Sequence, residues 1–182
     1  VAQSVASSRD HLGLDVIDSL VLHGPAEADD LTDDDRAVWR AMEAEVDAGR
    51  VRLLGISNVN VGQVEALLAG ARIAPAFVQN RCYASRGWDR AMRTTCAAHD
   101  LVYQGFSLLT ANRAVVDGPV VGAVARRLDA TPAQVVFAFA LAGGILPLTG
   151  SRDATHLRDD LTAIELAPAL TAAELAAIDA AG

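Results

Sequence analysis

Five positions along this chain carry hydrogen-bonding side chains directly after an apolar β-type run: His23, Ser57 with Asn58, Gln79 with Asn80, Ser107, and Thr149. Amides and hydroxyls donate and accept, and an imidazole exchanges a proton near neutral pH. Strand ends that meet the following loop are where parallel α/β architectures place ligand-contacting groups. Each group also has a plain structural use: a strand-end histidine can be a satisfied structural residue, Ser57 and Asn58 can cap the next helix, and Gln79 can be a structural amide. Cys82 and Cys96 lack a CxxC spacing, and His11, His99 and His156 lack metal-ligand spacing, so no metal site is expected. Every basic residue other than the histidines is Arg; with no Lys in the chain, chemistry that needs a lysine amine cannot come from it.

The elements that must position these groups follow from periodicity and capping signals. A polar helix is expected over residues 3–11 and a strand over 16–22, ending at His23-Gly24-Pro25. Thr32, with Asp35 three residues on, should cap a helix that runs to Ala48 and packs through Val38, Met42 and Val46. The run 51–56 is apolar on both parities, which predicts a strand covered on each face, and Asn60 with Gln63 should open the helix that Gly70 stops. A short strand over 75–78 leads to the amides, then come a helix over 88–98, a strand over 101–106, a loop over 110–118 and a helix begun by Pro119. Thr131-Pro132-Ala133-Gln134 is the strongest helix start. It is followed by a fifth strand over 145–148, a short helix through Leu157 and Leu161, and a last helix capped by Thr171 and Glu174.

Strands alternating with helices imply a parallel sheet, either a closed (β/α)8 barrel or an open doubly wound sheet. GxGxxG and GxxxxGK[ST] loops are missing, and the strand ends are polar, which favours the ligand face of a barrel. At 182 residues and 52% hydrophobic content the chain should form a single domain over 1–182. Its net charge of -8 disfavours nucleic acid and anionic membrane surfaces as partners. No apolar run approaches the ~20 residues of a membrane span, and free thiols suit a reducing compartment, so a cytoplasmic location is expected. The first residue is Val1, inside an expected helix, and the expectation is that an N-terminal part of a longer protein precedes it.

In collinear order, several fragments resemble the C-terminal part of an aldo-keto reductase. Leu14-Asp15-Val16-Ile17-Asp18-Ser19-Leu20-Val21-Leu22-His23 is similar to that family's fourth strand, Gly55-Ile56-Ser57-Asn58 to its fifth unit and Val78-Gln79-Asn80 to its sixth. Phe106-Ser107, Thr131-Pro132-Ala133-Gln134 and Leu146-Pro147-Leu148-Thr149-Gly150 complete the series. The resemblance implies a (β/α)8 TIM-type barrel, here a partial barrel of about five βα units plus C-terminal helices, that reduces a small carbonyl substrate with NADPH, NADH being the other candidate.

By the same resemblance, His23 would hydrogen-bond the substrate carbonyl, and Ser57, Asn58 and Gln79 would hold the nicotinamide carboxamide. Phe106 would stack on the nicotinamide ring, while Ser107, Leu109 and Thr149 would lie along the rest of the cofactor. Leu148 stands where the family commonly has a basic residue for the adenosine 2′-phosphate, so Arg152 is expected to supply that contact. The family's proton-donating Tyr, with its Lys and Asp, belongs to strands before the matched part; Tyr83 and Tyr103 fall in other units. The competing reading is a non-catalytic nucleotide-binding or assembly module, and an open barrel edge would favour self-association.

Overall fold

A computed structural model describes residues 1–182. In chain order the elements are α1 (Ala2–Leu12), β1 (Ile17–Leu22), α2 (Asp33–Asp47), β2 (Val51–Ser57), α3 (Val61–Gly70), β3 (Phe77–Arg81), α4 (Arg90–Ala98) and β4 (Val102–Phe106). They continue as α5 (Arg113–Val116), α6 (Pro119–Leu128), α7 (Pro132–Ala142), β5 (Leu146–Pro147), α8 (Ala154–Leu161), α9 (Ala163–Leu166) and α10 (Ala172–Asp179). The strands form one parallel sheet in the order β1-β2-β3-β4-β5, the arrangement expected of consecutive βα units. The chain divides into two compact units, Val1–Gln79 with Thr95–Val102, and Asn80–Thr94 with Tyr103–Gly182.

In the first unit, Val21, Gly55 and Phe77 lie side by side in register. A Cβ on Gly55 would sit 2.1 Å from the Phe77 ring, so only glycine lets that ring lie across β2. On the opposite face Leu54, Ile56 and Val78 are buried, together with Val64 and Leu67 of α3. The capping boxes expected at Thr32 and Asn60 are formed, each with its side chain accepting from the N3 backbone and the N3 side chain accepting in return.

Two expectations need correction here. Strand β2 is not covered on both faces: Leu53 is 50% exposed beside Ser19, a residue too small to cover it, and Arg52 lies in the open, paired to Asp18. The buried side of α2 runs through Asp35, Trp39, Met42, Glu43 and Glu45, with Val38 and Val46 only half-buried. Buried carboxylates fit there because each finds donors: Asp35 accepts from the Ala26 and Thr32 N–H groups, Glu43 from those of Arg72 and Ile73, and Glu45 from the Arg50 guanidinium.

In the second unit, α7 is apolar all round and buried from Val135 to Ala140, which makes it the central core helix. The expected helix over 88–98 begins later, at Arg90, because Gly87, Trp88 and Asp89 are all left-handed, with φ of 66°, 55° and 53°. That turn buries Trp88 against Phe139, ring centroids 4.9 Å apart, and presents Asp89 Oδ2 to the Tyr103 hydroxyl and to Asn80 Nδ2. Gln79 and Asn80 lie inside β3 rather than after it, β5 is only two residues long, and the loop expected over 110–118 contains α5. The boxes at Thr131 and Thr171 are formed as expected.

Candidate functional site

In the first unit three strand ends are tied together by short hydrogen bonds. Ser57 pairs with Gln79 in register, and its Oγ donates to the Gln79 carbonyl at 2.7 Å, while the Asn58 backbone N–H donates to the same carbonyl at 3.0 Å. Asn58 turns left-handed, φ 55°, and this carries its amide back across the sheet: Nδ2 donates to the His23 carbonyl at 2.7 Å and to Ser57 Oγ at 3.2 Å. An Asn tolerates that conformation better than most residues. Ser57 is 1% exposed, whereas Asn58 and His23 face solvent. The capping alternative for Ser57 and Asn58 is displaced, because Asn60 caps α3. The structure brings His23, Ser57, Asn58 and Gln79 together, with the carbonyls of His23 and Gln79 accepting the bonds from Asn58 and Ser57.

The second unit brings Ser107, Leu109, Thr149 and Gly150 around a small cavity of about 190 Å³. Ser107 is left-handed at φ 58°, and its carbonyl accepts from Ala111 N–H at 2.9 Å, which starts the turn that follows β4. A cavity of about 430 Å³ shares Leu109, Thr149 and Gly150 with the first and adds His156, Asp159 and Asp160 from α8. That volume lies within the roughly 300–1,000 Å³ of small-ligand sites. Thr149 Oγ1 donates to Asp160 Oδ2 at 2.7 Å. Phe106 is half-buried, with the Arg81 guanidinium 5.6 Å from its ring centroid, so one ring face already carries a cation. Arg152 is exposed, makes no ion pair and lies outside the lining of both cavities.

Arg81, Asp159 and Asp160 have no role in the sequence reading, and His156 enters it only as a histidine without metal-ligand spacing. Arg81 had a usable signal, since Phe77, Gln79 and Arg81 alternate on one face of β3. The α8 acids had none: nothing local links Thr149 to a carboxylate eleven residues on.

Tyr103 does not stand ready as an acid. Burial pushes the Tyr103 hydroxyl far above its usual range, and that hydroxyl donates to Asp89. The Cys82 thiol, also raised by burial, moves to about 11 and is inert at neutral pH. Tyr83 is half-buried beneath the Arg86 guanidinium. No group of His, Cys, Asp and Glu is arranged to hold a metal ion, and no single helix is long and apolar enough to cross a membrane.

The fold is a partial α/β barrel whose polar residues gather at the C-terminal ends of its strands, and solved structures share it. An aldo/keto reductase from Brucella melitensis superposes with a TM-score of 0.88 at 19% identity, covering 100% of this chain and 66% of the other. The aldose reductase of Schistosoma japonicum gives 0.84 at 21% identity, over 98% and 62%. Residues 1–117 match the Aldo/keto reductase family, and the chain belongs to it. Among curated relatives, rho crystallin of Rana temporaria is 28% identical over 91% of this chain and 59% of its own length. The aldose reductase of Encephalitozoon cuniculi is 27% identical over 95% of this chain and 62% of its own. The chain thus spans about three-fifths of the length of the curated relatives it matches.

Proposed function

We propose that this chain carries the later βα units of an NAD(P)H-dependent carbonyl reductase, with His23 facing the substrate carbonyl and the cofactor lying along the strand ends. The observation that carries the proposal is the Ser57, Asn58, Gln79 and His23 network, which holds hydrogen-bonding side chains and the histidine backbone side by side at neighbouring strand ends; a carboxamide ligand would compete for the Ser57 O–H and Asn58 N–H donors that the network itself uses. When bound, the reduced nicotinamide supplies the hydride for carbonyl reduction. His23 would donate an N–H hydrogen bond to the carbonyl oxygen and orient it. The Phe106 ring would give the nicotinamide an aromatic platform, Arg81 occupying one of its faces. Ser107, Leu109 and Thr149 would line the path of the rest of the dinucleotide.

The chain has no Lys, and the hydroxyl of Tyr103 is engaged by Asp89, so neither supplies a proton to the developing alkoxide. The same observation favours a second reading, a dinucleotide-binding module that does not turn over alone. Binding and turnover measured together separate them. We expect NAD(P)H to bind the purified chain without detectable aldehyde-dependent oxidation. Asn58→Gly, which keeps the left-handed backbone and removes the amide, should weaken binding at least tenfold. Undiminished binding in that variant would remove the network from cofactor recognition, and steady turnover would show that another residue supplies the proton. In a longer chain that supplies the earlier strands, His23→Ala should lower kcat far more than it weakens cofactor binding.

A further inference from the structure

We infer that Arg81 and Arg86, at the end of β3 and in the loop that leaves it, select a carboxylate, so that the carbonyl substrate is an oxo acid; the inference rests on the reductase reading above. Each guanidinium lies over an aromatic ring, Arg81 5.6 Å from the Phe106 centroid and Arg86 5.1 Å from that of Tyr83. Both arginines are exposed, and neither meets an acid or a carbonyl of the chain. That is unusual here. The chain holds 23 acidic residues against 15 Arg, and Arg50, Arg52, Arg72, Arg90, Arg113 and Arg127 are all paired to acids. Asp89, the next acid after Arg86, is turned away, its Oδ2 accepting from the Tyr103 hydroxyl and from Asn80 Nδ2. A ring face stabilises a guanidinium without using its N–H donors, so both forks remain able to donate.

The backbone between the two arginines is fastened. Cys82 N–H donates to the Phe106 carbonyl at 3.1 Å, and the N–H groups of Arg86 and Trp88 both donate to the Tyr83 carbonyl, at 3.2 and 3.0 Å. Buried Asn112 accepts from Ala84 N–H at 2.7 Å and donates to the Cys82 carbonyl at 2.9 Å. A loop ordered before its ligand arrives gives up less entropy on binding. A carboxylate suits such a site because its two coplanar oxygens match the guanidinium fork. The net charge of -8 opposes every further negative charge on a ligand, which favours a monoanion over a phosphate dianion. Phe106 is also the ring offered above as the nicotinamide platform, so an acid held on Arg81 would belong to the substrate.

The test is calorimetric titration of the full chain with NADH, and then of the NADH-saturated chain with 5-oxopentanoate and with its methyl ester, at neutral pH and low salt. We expect the oxo acid to bind roughly tenfold or more tightly than the ester. The double variant Arg81→Gln, Arg86→Gln should bring the two to within about threefold, with circular dichroism and melting unchanged. Arg81→Lys with Arg86→Lys keeps the charge and loses the fork, and should fall between. Equal binding of acid and ester by the unaltered chain would overturn the inference and, with NADH bound, leave the reductase reading standing. A well-folded glutamine double variant that keeps the full preference would overturn it as well, by placing the preference on another cation. Failure of NADH to bind would overturn the reductase reading and this inference with it.

Discussion

In the unit formed by Val1–Gln79 and Thr95–Val102, buried charge is used to hold backbone in place. In the unit formed by Asn80–Thr94 and Tyr103–Gly182, polar groups are left facing a cavity. Glu43 is 4% exposed and accepts the backbone N–H groups of Arg72 and Ile73, both at 2.8 Å; Glu45, 3% exposed, takes both arms of Arg50 at 2.6 and 2.9 Å. Gln63 Nε2 donates to the carbonyls of Glu27 and Asp30, which pins the acidic loop after His23. The second unit builds its centre from α7 and from Trp88 against Phe139, with Asn112 as its main buried polar clasp, accepting from Ala84 N–H and donating to the carbonyls of Cys82 and Leu108. Thr149, His156, Asp159 and Asp160 meanwhile remain around open space. The contrast teaches that the first unit uses buried polar side chains to hold neighbouring backbone, whereas the second leaves polar side chains paired to one another around a cavity.

The largest effect should come from the apolar centre of the second unit. Phe139→Ala removes a buried ring and its Trp88 contact, and should cost about 3–5 kcal/mol in urea unfolding. A loss below about 1 kcal/mol would show that α7 repacks and that the unit does not depend on this ring.

Next in size is Glu43→Leu. It deletes two charge-assisted bonds and leaves the Arg72 and Ile73 N–H groups without partners, for an expected loss of roughly 3 kcal/mol, whereas Glu43→Gln, which keeps one acceptor oxygen, should lose about half as much. Should the leucine be neutral, charge would not be what holds the first unit's backbone, and the comparison would break at that point.

The smallest effect is electrostatic and lies in the second unit. Hydrogen bonding to Arg127, with backbone help from Thr171, holds the Glu174 carboxyl at about 2, against an ordinary 4.5. A folded-state value below the unfolded one stabilises at pH above roughly 4.5, and that contribution fades as the pH falls toward about 2. Because Arg127 is 45% exposed, the pair should contribute no more than ~1 kcal/mol. Glu174→Gln should be slightly less stable than the unaltered chain at pH 6, with the gap narrowed at pH 3 and nearly gone by about pH 2; a constant difference would assign the effect to the helix cap rather than to the charge.

Much of this was legible because it is local. The capping boxes at Thr32, Asn60, Thr131 and Thr171 depend on residues three apart, and strand ends show where an apolar run stops, so the order of elements and the grouping of His23, Ser57, Asn58 and Gln79 could be read along the chain. The amino-acid sequence by itself determined the parallel βα plan, its family and the polar character of its strand ends. Only the tertiary structure decided that Gly87, Trp88 and Asp89 turn left-handed, that Arg81 lies over Phe106, that Glu43 is buried on α2, and that Asp160 reaches Thr149. Each of these is settled by a partner distant in sequence, whose hydrogen bond or buried ring outweighs the local preference of the residue itself.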